Sequence, residues 1–392
     1  MNDCLIIGGG VIGLSLAYEL ARGGQSVTVI DRGPPAREAS WAGAGILPPA
    51  NVATARDGYE QLAALSCELH PRWADELREL TGVDNGYRRC GGIYVAHSLA
   101  EVDALADQAI VWRRLGIACE QLDAAAVARC EPALCANGAA PILAAYLLRD
   151  EAQLRNPRHL QALLAACHRL GVEIRAGVEC TAFETRGDRV AGVVTNVITN
   201  VVTGVVTNVG TLSAAAYCVA SGAWSGGLLR PFGVRLGVKP IRGQIVLFRM
   251  PAPILRHVVN DGLRYLVPRD DGRLLAGSTE EDVGFDSRNT AAGVQGLIDL
   301  ATSLAPGLAE ATIERTWAGL RPATTDGLPL IGPIAGVTNA FCAAGHFRSG
   351  LTLSTGTAVV VARLIRGEPT QIDLTSMRPD RAAHTGEATA SD

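Results

Sequence analysis

The chain has 392 residues, 48% hydrophobic and 19% charged, enough to bury a large core in two domains or in one α/β unit with an insertion. A net charge of −4 and a pI near 6.0 argue against nucleic acid or an anionic membrane surface as partner. Its ten cysteines include no C-x-x-C pair and no histidine at ligand spacing, so no metal site is expected and a reducing, cytoplasmic setting is.

No uninterrupted apolar run approaches transmembrane length, and Asp3 stands where a signal peptide would be basic. Lys239 is the single lysine, and arginine does the remaining cationic work.

The apolar run Leu5-Ile6-Ile7 reads as a buried strand. Gly8, Gly10 and Gly13 follow at G-x-G-x-x-G spacing and open a helix over 14–20, which Gly23 and Gly24 end. A second apolar strand, 27–30, runs into Asp31. In that order, Gly8 permits the tight turn, Gly10 admits a pyrophosphate and Gly13 lets helix and strand pack closely. The helix N-terminus then faces the phosphates, and Asp31 can accept hydrogen bonds from ribose hydroxyls. A dinucleotide site is therefore expected. Arg32 fits either an NADP 2′-phosphate or a solvated charge, and this stretch leaves FAD and NAD(P) both open.

The small-residue segment 40–49 fits either backbone lying against a flat ligand or a flexible loop. Apolar residues Leu62, Leu65, Leu69, Trp73, Leu77 and Leu80 predict a long amphipathic helix over 58–80, ended by Thr81-Gly82. A strand is expected over 93–95, and helices over 100–115, 123–129 and 157–170. Strands follow at 172–174 and 180–183. The stretch 193–209 repeats VVTN, VITN, VVTG, VVTN. It reads as an enlarged surface hairpin grown by duplication and dispensable for activity. Strands at 216–223, 243–248, 265–267 and 274–277 precede a closing helix over 357–365. The tail 379–392 is expected to be disordered.

Four motifs occur in order. They are the glycine turn, Ser221-Gly222-Ala223-Trp224-Ser225, Trp317-Ala318-Gly319-Leu320-Arg321-Pro322 and Ala344-Gly345-His346-Phe347-Arg348-Ser349-Gly350. Together they resemble the FAD-dependent D-amino-acid oxidase family, most closely the glycine oxidases of thiamine biosynthesis. The likeness covers nearly the whole chain, apart from the valine–threonine repeat and the tail.

The resemblance implies an α/β fold with a Rossmann-like FAD-binding domain over 1–87, 150–232 and 324–392. An antiparallel-sheet substrate domain over 88–149 and 233–323 would roof the flavin. It places Gly8, Gly10, Val11, Ile12 and Gly13 in the phosphate turn and Asp31-Arg32 at the ribose. Ala39, Ser40, Ala44, Gly45 and Ile46 would run beside the phosphates and isoalloxazine, with Val178 at the adenine and Ser221, Gly222 and Trp224 also at the cofactor. His346, Phe347, Arg348, Ser349, Gly350, Leu351 and Thr352 would wrap the flavin pyrimidine. Arg321 resembles the arginine that grips the substrate carboxylate, Tyr265 the tyrosine assisting it, and Arg348 a further active-site arginine. Ile46 and Glu280 stand where relatives carry methionine; a carboxylate at Glu280 would attract a substrate amine or repel a substrate acid.

The residues taken alone are compatible with that reading. A guanidinium matches an α-carboxylate with two parallel hydrogen bonds, and Pro322 stiffens the backbone beside Arg321. A surface salt bridge is the bland alternative for Arg321, and a core tyrosine for Tyr265. His346 has no evident carboxylate partner and is read as a backbone contact, not an acid–base group.

The implied reaction transfers hydride from the substrate α-carbon to FAD N5, with O₂ reoxidation to H₂O₂ and hydrolysis or hand-off of the imine to a thiazole synthase. Orientation supplies most of the protein's contribution. The flavin is expected to be non-covalent, because Cys342 is out of register with the attachment cysteine of monomeric sarcosine oxidases. A homotetramer is implied by the same resemblance. The alternatives are a dehydrogenase passing electrons to a quinone or protein, and a non-catalytic dinucleotide-binding subunit.

Overall fold

A computed structural model describes residues 2–186, 201–235 and 237–381. One six-stranded sheet runs in the order Leu330–Pro333, Ala340–Ala344, Ala214–Val219, Asn2–Ile7, Val27–Asp31, Glu173–Ala176. Its pairings are parallel except for the edge strand Leu330–Pro333. Strands covered on both faces read as unbroken apolar runs, which is why Leu5, Ile6 and Ile7 are all buried.

Helices Val11–Arg22, Gly58–Thr81, Asn156–Arg169 and Ser354–Ile365 pack on one face, with Tyr18 edge-on to the fully buried Trp73 at 5.0 Å. The long helix begins where Asp57 accepts the Glu60 N–H at 2.8 Å and stops at Gly82, whose φ of 76° is left-handed.

The other face carries a three-stranded antiparallel sheet of Cys180–Arg186, Val201–Thr207 and Gly210–Leu212. This corrects the expectation for the repeat. Val201–Thr207 is the middle strand there, and Val205 is fully buried against Leu5, Ile7 and Tyr217. Val205 and Thr207 are core, whereas Asn208 and Val209 are exposed. Residues 193–200 lie outside the described residues.

A second, eight-stranded sheet runs Thr312–Ala323, Lys239–Arg249, Arg273–Gly277, Arg264–Pro268, Val258–Asp261, Gly92–Ala96, Ala144–Leu148, Cys119–Leu122. It is antiparallel but for one pairing, Val258–Asp261 with Gly92–Ala96, which run parallel. The expectation of a wholly antiparallel roof is corrected there: two chain segments meet side by side with no hairpin to set their direction. Helix Ala291–Leu304 closes the far face through Leu297, Leu300, Ala301 and Leu304. The first sheet takes its strands from within 1–87, 150–232 and 324–392, the second from within 88–149 and 233–323. A small sheet of Ile46–Leu47, Ala152–Gln153 and Arg88–Arg89 lies where the two groups of segments meet.

The expected disorder of the tail fails at its start. Pro379 is buried, and Arg381 donates to both oxygens of Asp326 at 2.8 and 2.9 Å. Residues 382–392 lie outside the described residues. All ten cysteines are free, and among the described residues no helix is long and apolar enough to cross a membrane.

Candidate active site

The strand Asn2–Ile7 delivers the chain to Gly8 with φ 114°, where a Cβ would overlap Ala220 O. Only glycine satisfies both constraints. Gly13 lies beneath the turn: a Cβ there would overlap Gly8 O, so this residue packs helix on strand and does not reach the cavity wall. Gly10 is the N-cap of Val11–Arg22 and makes no side-chain cap. The Val11 N–H instead donates to Ser40 Oγ at 2.9 Å. Ile12 lines the same turn.

Asp31 accepts the Gly9 N–H at 2.8 Å and the Gly33 N–H at 3.0 Å, so its first task is to pin the turn. Arg32 is exposed but not free of partners. Its guanidinium lies 3.7 Å from the Trp224 ring centroid, and Glu38 stands 3.9 Å away. Val178 donates its own N–H to Asp31 O at 2.9 Å, which removes that donor from any adenine contact.

These groups open into one cavity of about 820 Å³. Ala39 and Ser40 reach it from the short helix Glu38–Ala42, and Ala44, Gly45 and Ile46 from the segment that follows. That segment is clamped. Arg269, almost fully buried, donates to Ala44 O at 2.6 Å, to Leu154 O at 3.0 Å and to Gln153 Oε1 at 2.5 Å. Ser221 anchors its own turn through Oγ to Ile7 O at 2.9 Å, and Gly222 and Trp224 line the wall beside it.

Along another wall run His346, Phe347, Arg348, Ser349, Gly350, Leu351 and Thr352. His346 meets Thr357 Oγ1 at 3.1 Å, Ser349 Oγ meets Tyr59 Oη at 2.9 Å, and Thr352 O meets His70 Nε2 at 3.0 Å. Burial pushes the His346 imidazole down to about 3, so it is neutral at physiological pH.

At the second sheet, Arg321 and Tyr265 converge from different strands. Arg321 lies over Gly243, and the Tyr265 ring lies over Gly277; a Cβ at either glycine would strike the side chain above it. A glycine inside a strand marks close approach, and here it lets two long side chains lie flat across the sheet. Arg321 Nη2 donates to Ser278 Oγ at 2.5 Å and Nη1 to Thr279 O at 3.1 Å. Burial lowers the Arg321 pKa, and the facing Tyr265 hydroxyl opposes that shift.

Arg348 does not stand free. It donates to Glu280 Oε2 at 3.1 Å and to Leu263 O at 2.7 Å, bridging the turn that carries it to the second sheet. Glu280 is not part of the cavity wall; it reaches the site only through Arg348. The expected substrate contact by Glu280 would therefore run through Arg348.

The remaining residues of the expected set therefore surround one space, with Gly13 beneath it and Glu280 at its rim. Sequence reasoning missed Arg269, Asn156, Tyr94 and Asn260, and read Trp317 only as part of a motif, with no role of its own. Trp317 Nε1 donates to Ala42 O at 2.9 Å and Asn156 Nδ2 to Ser40 O at 2.8 Å, holding the segment beside the phosphate turn from two sides. Only the in-strand glycines Gly243 and Gly277 carried a prior signal of such crowding. A glycine cradle at a helix N-terminus, sharing one cavity with a guanidinium and a phenol, fits a dinucleotide.

A model of the D-amino-acid oxidase type, described as FAD dependent oxidoreductase, matches residues 3–364. A glycine oxidase of Pseudomonas putida is 35% identical over 97% of this chain and 98% of its own length. The bifunctional protein ThiO/ThiG of Trichormus variabilis is 34% identical over 93% of this chain, which spans 52% of that protein. The crystal structure of glycine oxidase from Geobacillus kaustophilus superposes with a TM-score of 0.88 at 33% identity, covering 97% of this chain and 99% of the other. With the glycine turn, the two sheets and the cavity between them, these likenesses establish that the chain belongs to the family of FAD-dependent oxidoreductases of the D-amino-acid oxidase type and that FAD is its cofactor.

Proposed function

We propose that the protein oxidatively deaminates glycine or another small amino acid such as sarcosine or a small D-amino acid. The observation that carries this reading is the convergence of Arg321 and Tyr265 over Gly243 and Gly277, in the cavity that begins at the phosphate turn. Arg321 receives the α-carboxylate through its planar fork, and the Tyr265 hydroxyl adds a further hydrogen bond. Arg348, which lines the same cavity and is held by Glu280 and Leu263 O, is the further active-site arginine. Ile46 and the clamped segment before it set the distance between substrate and cofactor. FAD, when bound, supplies the hydride acceptor. No side-chain base is required of His346, which is neutral and turned to Thr357. Holding a neutral-amine substrate in attack geometry is the protein's main contribution.

Further expectations belong to the same reading. FAD is held non-covalently, chiefly by the segments 1–87, 150–232 and 324–392, while 88–149 and 233–323 build the substrate side. Dioxygen takes the electrons, yielding H₂O₂. The protein works in the cytoplasm as a homo-oligomer, a tetramer in keeping with the resemblance. The imine passes to a thiazole synthase, a hand-off supported by the name of the ThiO/ThiG relative.

The test is anaerobic addition of glycine to the purified yellow protein. Bleaching of the flavin, followed by recovery and peroxide on admitting air, is the expected result. Bleaching without rapid recovery in air identifies a dehydrogenase. A flavin that stays oxidised with glycine, sarcosine, D-alanine and D-proline overturns the reading.

A further inference from the structure

Beyond Tyr265 the wall of the cavity changes character. Gly277, Tyr265, Asn260 and Tyr94 are successive cross-strand partners on four adjacent strands, so they project from one face of the sheet. The Tyr265 ring leans over Gly277 and hence away from Asn260. Asn260 and Tyr94 both border the cavity.

Behind them sits Glu151, fully buried at 0% exposure, its side chain crossing Gly92 where a Cβ would collide with it. Tyr94 Oη donates to Glu151 Oε2 at 2.6 Å and Asn260 Nδ2 to Oε1 at 3.1 Å. Each neighbour directs a hydrogen at the carboxylate, which leaves the Asn260 carbonyl and the Tyr94 lone pairs as acceptors. Among the described residues no arginine, lysine or histidine is ion-paired with Glu151, and burial pushes its carboxyl up to about 7. A buried carboxylate backed only by neutral donors is complementary to a cation.

The two ends of the substrate region are thus opposite in sign, Arg321 at one and Glu151 at the other. Arg321 and Tyr265 meet over the strands Lys239–Arg249 and Arg273–Gly277. Asn260 lies two strands beyond the second of these, about 10 Å at ordinary strand spacing. Glycine and sarcosine leave that interval unspanned; a lysine- or arginine-length side chain crosses it.

We propose that Asn260, Tyr94 and Glu151 form a second subsite, which takes the distal ammonium or guanidinium of a basic α-amino acid whose carboxylate is held by Arg321. Asn260 and Tyr94 make the contacts, and Glu151 is the positioning residue that orients both and supplies the charge. The proposal rests on the amino-acid reading of the site and extends it to a longer, cationic substrate class.

The test is binding of lysine against norleucine, each as both isomers, to the holoprotein under anaerobic conditions, read by thermal shift and by perturbation of the flavin spectrum. Norleucine keeps lysine's six-carbon chain and lacks the terminal nitrogen. Lysine should bind on the order of 10- to 100-fold more tightly, the worth of a hydrogen bond to a charged group. Glu151→Gln and, independently, Asn260→Leu should abolish that difference. Equal affinities in the wild type, or a lysine preference that both variants retain, would overturn the subsite. Binding is read apart from turnover, so a flavin that glycine fails to reduce refutes the oxidase reading while the lysine–norleucine comparison still decides this one.

Discussion

Arg321 illustrates how a single side chain acquires a function from what lies beneath it. Its guanidinium is mostly buried and already satisfied in part by Ser278 and Thr279, so it is held in place before any substrate arrives. Truncating one partner of a buried, hydrogen-bonded charge pair costs roughly 2–5 kcal/mol, or about 30- to 5,000-fold. Arg321→Ala should therefore lose kcat/KM for glycine by that factor while its FAD content stays intact; unchanged turnover would remove Arg321 from the site. Glu280 is ion-paired with Arg348 at 3.1 Å, and in the proposed reaction it would compete with substrate anions for that arginine. Both partners are partly exposed, so the competition amounts to roughly 0.2–1 kcal/mol. Glu280→Gln should raise kcat/KM for D-aspartate relative to D-alanine by about 1.5- to 5-fold. An unchanged ratio in steady-state assays at low salt would show that Glu280 has no hold on Arg348.

At the scale of elements, the repeat and the helices make different demands. The strand Val201–Thr207 is sandwiched between two others and buries Val205 against the first sheet. Val205→Ala removes two methyl groups from a packed site and should cost roughly 1.5–3 kcal/mol, read as a lower urea midpoint at unchanged slope. A midpoint equal to wild type would return the strand to the surface.

Three helices carry or contact buried histidines. His70 lies on Gly58–Thr81, His159 on Asn156–Arg169, and His346 hydrogen-bonds Thr357 on Ser354–Ile365. Burial pushes them down to about 4, about 3 and about 3, from an ordinary 6.5. The unfolded chain therefore binds more protons than the folded one between those values and 6.5. Stability falls as pH drops through that window. Glu151, raised by burial, runs the other way between its ordinary 4.5 and about 7. Unfolding free energy should decline on acidification below pH 6.5, and His70→Gln should flatten the decline; an identical pH slope in that variant would contradict the argument.

For the whole molecule, the decisive feature is that the cofactor cavity is walled by both sheets. FAD bound there favours the folded state through contacts that the separate halves lack. At free FAD 100 times its dissociation constant, the linkage is worth about 2.7 kcal/mol. Denaturing the yellow protein in acid should release the flavin to the supernatant. The apoprotein, prepared without denaturant residue, should melt at a lower temperature and recover with added FAD. Flavin fluorescence retained in the precipitate, or equal melting of the two forms, would contradict non-covalent binding across both sheets.

Much of this molecule was legible in local sequence. The glycine turn with its flanking strands, the helix Gly58–Thr81 and the strand carrying Tyr265 are set by steric freedom, capping and periodicity over a few residues. Matching motifs along the chain supplied the family. What lay beyond reach was lateral. Gly243 beneath Arg321, Gly277 beneath Tyr265, Glu280 on Arg348 and Glu151 behind Tyr94 and Asn260 are relations between residues on different strands and turns, from 12 to 109 positions apart. The parallel pairing of Val258–Asp261 with Gly92–Ala96, the burial of Val205 and the anchoring of Arg381 by Asp326 are of the same kind. Periodicity tells which face of a strand is apolar but not which strand lies beside it, and a side chain's partner is decided only when the sheets assemble.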